Sequence, residues 1–371
     1  MNDAYDVIVI GAGMVGAAAA YRLADAGWRV LLIEAHEPAS GASGNSFSWL
    51  NAVSKEPEAY HRLNADGLAE YAGLAEELGV EIGLRGGGSL QWGGSDDSQA
   101  RMRDRTGRLA ARGYPAAWIS RAEALRLEPG LAIGEAVEGV AYHPGDGWVD
   151  APRLARAFVN RTLAEGADLW RGARVRALRL DDGRVTGVDT DRGEVRAGQV
   201  LLCAGTGTPA LLAPLGVQLP VRSVPGLLAV TSPVAEQLGR VVYAPGVHLR
   251  PDVDGGLRFG ADDIDDLTSE ITPAEPVPDF AQPLLERAQA VYPPARDARI
   301  VRVHIGVRPV PEDGLTVAGP VPGVGNAWVI VTHSGITMGP LLGRLIAEEM
   351  TGGPMDPRLA PFRPERFAAS R

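Results

Sequence analysis

Three glycines, Gly11, Gly13 and Gly16, stand in G-x-G-x-x-G spacing within AYDVIVIGAGMVGAAAAYRLADAGWRVLLIEA, residues 4–35. Each suits a pyrophosphate site in its own way. Gly11 permits a tight turn, Gly13 lets the backbone approach the phosphates, and Gly16 lets helix and strand pack closely. Met14 and Val15 would open the helix that follows, whose free N–H groups and positive dipole end favour an anion. Glu34 lies 18 residues beyond Gly16, near the ~20 expected of an acid that accepts from ribose hydroxyls, with Ala35 beside it. An acid there also repels a 2′-phosphate and disfavours NADP. Strand, glycines, helix, strand and acid in that order predict an adenine dinucleotide site.

Further candidates are spread along the chain. The run SGASGNSFSWLN at 40–51 offers Ser43, Gly44, Asn45 and Ser46 as a loop whose backbone lies against a ligand; alone it would serve equally as a surface loop. Arg308, in HIGVRPVPEDGLTVAG at 304–319, has the planar fork that matches a carboxylate bidentately, with Gly306 two residues before it. Its other reading is an ion pair with Glu312 or Asp313. His333, Ser334, Gly335, Ile336 and Thr337 fall in the turn of VIVTHSGITMGPLLGRLIAEEM, 329–350, ahead of a helix whose N-terminus would stabilise negative charge. His333 reads equally as a structural histidine. His248, beside Arg250 in VHLRP, either bonds a substrate or lines a wall. Lys55 is the only lysine among 36 basic residues; it is either a surface residue or a desolvated cation that polarises oxygen or pairs with a substrate acid.

The elements that must position these residues follow from pattern. Residues 7–10 and 29–33 read as strands flanking a helix over 14–26 that Gly27 ends. Residues 58–79 read as one amphipathic helix. Ser120 with Glu123 forms a capping-box pattern, and Asp150 with Pro152 opens a helix that Gly166 closes. Strands are expected at 174–180, 184–190 and 199–203, with Asp182-Gly183 as a hairpin turn, and at 222–231, 247–251 and 256–260. Cys203 reads as a small buried residue at a strand end. The acidic run Asp262, Asp263, Asp265 and Asp266 reads as a solvated loop, with a cationic-substrate site as the sharper alternative. A last strand at 329–332 leads to a helix beginning near Met338, with Pro340 near its first turn.

Composition bounds the class. At ~150 residues per domain, 371 residues suggest two domains or three, long enough to bury a core without disulfides or structural metal. A net charge of −10 argues against nucleic-acid binding. One cysteine excludes an intramolecular disulfide and Cys-based metal clusters and fits a reducing cytoplasm. The most apolar stretch, 7–20, is too short and glycine-rich to span a bilayer, and the residues before it lack the positive charge of a signal peptide. A soluble protein is expected.

GAGMVG with Glu34, the SGASGNS loop, GWVDAPRL at 147–154, VLLCAG at 200–205, GVRPVPEDG and THSGITMGP occur in one order along the whole chain. Together they resemble the D-amino-acid oxidase superfamily of FAD-dependent oxidoreductases, in particular its glycine oxidase, sarcosine oxidase and D-amino-acid dehydrogenase branch. The resemblance implies an α/β fold: a Rossmann-like FAD-binding domain (1–80, 141–215 and 308–371) interleaved with an α+β substrate domain on a large mixed sheet (81–140 and 216–307). It places Arg174 and Val175 on the adenine side, returns the chain to the cofactor at Ala204 and Gly205, and puts Arg308 over the flavin to hold a substrate carboxylate. Relatives often carry a tyrosine where His248 stands, a departure. Relatives that tether FAD use a cysteine near the GxRP region or an early-loop histidine; neither occurs at 300–320 or 40–51, so FAD is expected to be non-covalent. The implied reaction is oxidation of an amino acid or secondary amine at its C–N bond by hydride transfer, with oxygen or another carrier reoxidising the cofactor. Two alternatives stand beside it: a 2-hydroxy acid oxidoreductase with His248 or His333 as base, and a flavin-binding partner protein without turnover.

Overall fold

The computed structural model describes residues 5–268 and 280–368. The chain opens with strand β1 (Tyr5–Ile10), helix α1 (Met14–Asp25) and strand β2 (Val30–Glu34). Val7 to Ile10 and Val30 to Ile33 are buried on both faces, as continuous apolar runs are in a parallel sheet covered by helices. Gly11 turns between β1 and α1 at φ +102°, where a Cβ would lie 2.5 Å from the Cys203 carbonyl oxygen; only glycine passes there.

The first sheet has eight strands. Its parallel centre places β1 between β2 and the Gly193–Leu202 strand, with Asp168–Arg171 beyond β2 and Ala327–Val331 against the far end of Gly193–Leu202. The antiparallel pair Val175–Asp181 and Arg184–Thr190 extends the first half of Gly193–Leu202, joined by a turn with Asp182 at φ 45° and Gly183 at φ 70°. Positive φ at both central residues matches the twist of a two-residue hairpin. Against this sheet, α1 packs between Ala151–Ala164 and the final α-helix, Gly335–Met350. The alanines Ala17 to Ala20 have no exposure, and Gly343 meets Ala18 and Ala19 so closely that a Cβ would stand 2.7 Å from the Ala19 nitrogen. The alanine run thus serves close packing as well as helix propensity.

The second eight-stranded sheet runs in the order Ile300–Pro311, Val221–Thr231, Leu257–Gly260, Val247–Pro251, Val241–Ala244, Ser89–Gln91, Gly139–His143 and Ala117–Ser120. Two stretches of chain, before and after the second half of the first sheet, are therefore woven together. The Ile300–Pro311 strand passes unbroken through the 307/308 boundary anticipated between domains, carrying Arg308 on the second sheet. Asp96–Ala111, a helix not anticipated from sequence, contacts this sheet at its far edge. Ser95 caps it, accepting from Ser98 N–H at 3.3 Å.

Three expectations are corrected. The single helix over 58–79 is two, Glu58–Ala69 and Leu74–Leu78, because Gly73 turns left-handed at φ 80° between them. The acidic run is not a loop but the helix Asp262–Thr268. The final helix begins at Gly335, earlier than expected, so Pro340 sits inside it. Proline has no N–H to give the Ile336 carbonyl; the Tyr71 hydroxyl donates to that carbonyl instead at 2.6 Å.

Candidate active site

Residues of both sheets line one cavity of about 1190 Å³, larger than the ~300–1,000 Å³ of ordinary small-molecule pockets. Gly11, Gly13, Met14, Val15, Glu34, Ala35, Arg174 and Val175 form one end. The Glu34 carboxylate is fixed there by N–H groups of Ala12 (2.8 Å) and His36 (2.9 Å). No side chain of the N-cap residue, Gly13, closes the start of α1; the Met14 N–H reaches Ser43 Oγ at 2.9 Å. Ser43, Asn45 and Ser46 line the cavity, but Gly16 and Gly44 do not. Each of those two is packed against a backbone carbonyl, of Gly11 and Ala39 respectively, so their role is to let chain segments close up.

The middle of the cavity brings together Ala204, Gly205 and His333 to Thr337. In the final helix the first intrahelical bond comes from Met338 N–H to the Ser334 carbonyl at 2.9 Å, and no side chain caps its start. The N–H groups of Gly335, Ile336 and Thr337, all at the cavity, are the orphan donors of that first turn. Ser334 Oγ does not cap; it accepts from Lys55 Nζ at 3.0 Å and shares a hydrogen bond with the Tyr60 hydroxyl at 3.2 Å. Lys55 therefore lines the cavity, and burial pushes its ammonium down to about 8. His333 is pushed down to about 4 by burial, with the charges of Lys55 and Arg308 adding to it.

Arg308 closes the other end. Gly226, register partner of Gly306, leaves the space for its guanidinium: a Cβ there would stand 3.1 Å from Arg308 Cζ. Nη2 donates to the Pro225 carbonyl at 2.9 Å and pairs with Asp265 at 2.8 Å. The partner is thus neither Glu312 nor Asp313, the latter pairing with Arg366 at 2.7 Å, but a member of the acidic run. Nη1 has no partner among the described residues, and Arg308 lines the cavity. Burial raises the Asp265 carboxyl while the Arg308 charge opposes it.

His248 stacks on Tyr243 (centroids 5.5 Å apart, 12° between planes) and meets the edge of Phe47 at 4.6 Å. Burial pushes it down to about 4, so it is neutral at physiological pH. Arg250, two residues on, faces away: it bonds the Phe47 carbonyl, lies 4.3 Å from the Trp148 ring centre and stands 3.7 Å from Asp252. It clamps the 46–48 loop from behind. Sequence reasoning named Asp265 only as part of the acidic run, without its pairing to Arg308, and missed Gly226, Tyr60 and Arg105, the last of which also lines the cavity. Register reveals Gly226 once the strands are paired; Arg105 lies on a polar helix whose few apolar residues leave no clear stripe.

The residues 6–349 match the model of the FAD-dependent oxidoreductase family known as DAO. The chain belongs to that family. Among relatives, it is 32% identical to glycine oxidase of Geobacillus kaustophilus over 98% of this chain and 97% of that one. To glycine oxidase of Pseudomonas aeruginosa it is 33% identical, over 96% and 98%. The crystal structure of the Geobacillus kaustophilus glycine oxidase superposes with a TM-score of 0.88 at 31% identity, covering 98% of both chains. The anticipated fold and the FAD dependence follow with family membership.

The cavity fits this cofactor on its own geometry. Two helix N-termini whose N-cap residues make no side-chain cap face it, an arrangement suited to anionic phosphates and an electron-accepting ring. Gly306 abuts the loop at Asn45 so tightly that a Cβ would lie 2.5 Å from the Asn45 carbonyl oxygen, holding that loop at the cavity wall. Among the described residues no cluster of ligands suits a metal ion, and no helix is long and apolar enough to cross a membrane.

Proposed function

We propose that this chain oxidises a small amino acid or N-substituted amino acid whose carboxylate is held by Arg308. Its reaction class is FAD-dependent oxidation of an amino acid or amine at the C–N bond. FAD, when bound, supplies the hydride acceptor. Gly11, Gly13, Glu34, Arg174 and Val175 would hold its adenine dinucleotide portion, and Gly335 to Thr337 would face its ring. FAD is held without a covalent tether, since neither Cys203 nor any early-loop histidine stands where relatives attach one.

The observation that carries the substrate reading is the free Nη1 edge of Arg308, presented to the cavity while Asp265 and Pro225 anchor the other nitrogen. A carboxylate bound there orients the carbon beside it, and orientation supplies much of the barrier reduction. The substrate amine must be neutral for its lone pair to assist, so turnover rises toward alkaline pH. His248 and His333, both near 4, are weak bases at neutral pH, which favours an amine over a hydroxy acid as donor. Lys55 sits where an ammonium losing its proton near pH 8 would adjust the charge beside the ring. Oxygen or another carrier takes the electrons, in the reducing cytoplasm that a single cysteine suits.

The test is anaerobic addition of glycine, sarcosine, D- and L-amino acids and their hydroxy analogues to the flavin-loaded protein. Bleaching of the flavin band by an amine supports the reading. Bleaching by the hydroxy analogues alone would overturn it.

A further inference from the structure

We infer that Arg105 binds a second carboxylate of the substrate, so that the favoured donor is an amino dicarboxylate: one carboxylate on the carbon that is oxidised, the other displaced along the molecule. The inference rests on Arg308 holding the first carboxylate.

The Asp96–Ala111 helix turns Met102 and Arg105 into the cavity, three residues apart and hence on one face. The Arg105 guanidinium is half-buried and donates to two neutral acceptors, Ser54 Oγ at 2.7 Å and Gln91 Oε1 at 3.1 Å. No carboxylate lies within ion-pair reach of it among the described residues. The other arginines around this end are paired: Arg308 with Asp265, Arg250 and Arg258 with Asp252. The nearby Asp262 is already engaged by the Tyr243 hydroxyl. Burial works against the Arg105 charge, and an unpaired buried cation is costly unless an anion joins it.

Position argues the same way. Tyr243 lies close enough to Arg105 to feel its charge, and His248, stacked on Tyr243, feels that of Arg308. Both guanidinium groups line the cavity that also holds this aromatic pair. Ser54 and Lys55 are chain neighbours, the first bonded to Arg105 and the second to Ser334, so one short segment joins the second cationic point to the start of the final helix. An amine carrying a negative charge at each end matches two guanidinium groups that line one cavity.

Binding to the flavin-loaded enzyme tests this without turnover. Dicarboxylates from malonate to adipate, and monocarboxylates of matching length, are titrated against the flavin difference spectrum. One chain length is expected to bind about 10- to 100-fold tighter than its monocarboxylate, the range of one charge-assisted hydrogen-bonded contact. Arg105→Gln should bring the two within about 3-fold, and Arg105→Lys should keep part of the preference, since it retains charge but not the fork. Equal binding of both classes by the wild type overturns the inference, as does a preference that survives Arg105→Gln. Arg308→Leu separates the two claims. If it weakens both classes while Arg105→Gln leaves their ratio intact, only the second-carboxylate assignment falls. If it weakens neither, the reading of Arg308 falls and takes this one with it.

Discussion

Arg308 and Asp265 form a 2.8 Å ion pair inside the cavity, across the glycine that makes room for it. The pair joins the edge strand of the second sheet to a helix formed by the acidic run. It fixes one terminal nitrogen of the guanidinium, while the other has no partner among the described residues.

Replacing Arg308 tests that arrangement. Arg308→Leu should lower kcat/KM for carboxylated amines about 100-fold, mostly through KM, because a charge-assisted fork contributes ~1.5–3 kcal/mol; Arg308→Lys should recover part of it. Arg308→Leu also removes the cation paired with the Asp265 carboxylate. Since the arginine is partly open to solvent, the stability loss should be about 1–2 kcal/mol. Adding Asp265→Asn should restore stability without restoring KM, as read by urea midpoints and steady-state kinetics.

Lys55 makes a pH prediction. Its folded value near 8 lies below the ordinary 10.5, so between those values the unfolded chain holds a proton that the folded protein has shed. Stability therefore rises with pH across that window, by about 3 kcal/mol in all, and the cost of the buried ammonium is fully present below 8. Lys55→Met should abolish the rise when denaturation midpoints at pH 7.5 and 10 are compared. In the same variant the limb of kcat/KM near pH 8 should vanish, leaving the substrate-amine limb.

Tyr71 and Pro340 should be coupled. Tyr71→Phe leaves the Ile336 carbonyl without its 2.6 Å donor and should cost about 1–2 kcal/mol. In a Pro340→Ala background the helix regains an N–H for that carbonyl, and the same change should cost clearly less. A double-mutant cycle on chemical denaturation reads the coupling, expected at about 1 kcal/mol; strict additivity would contradict it.

Gly306→Ala drives a methyl toward the Asn45 carbonyl and must displace the 40–48 loop. The expected result is a loss of FAD affinity of about 10-fold or more, as 1–3 kcal/mol of overpacking implies. The ratio of flavin to protein absorbance after dialysis measures it, independently of any activity.

What the sequence by itself determined lies in local rules. Gly11, Gly13 and Glu34 occupy the cavity end that their spacing implied, because strand, turn and helix are set by neighbours within about 30 residues. Asp150 caps its helix, accepting from Arg153 N–H at 3.1 Å, and Ser120 does the same for Glu123 N–H at 3.2 Å, for the same reason. The 184–190 and 247–251 strands have the bounds expected from the sequence. The tertiary structure decided what depends on distant partners. Asp265 is acidic in any reading, but its being the mate of Arg308 required the Asp262–Thr268 helix to pack on the Val221–Thr231 strand. Lys55 became a cavity residue only because Ser334, 279 positions away, accepts its hydrogen bond. Pro340 could stand inside a helix only because Tyr71 supplies the missing donor. Such pairings are set by burial and by the need to satisfy every buried polar group, and no spacing rule along the chain encodes them.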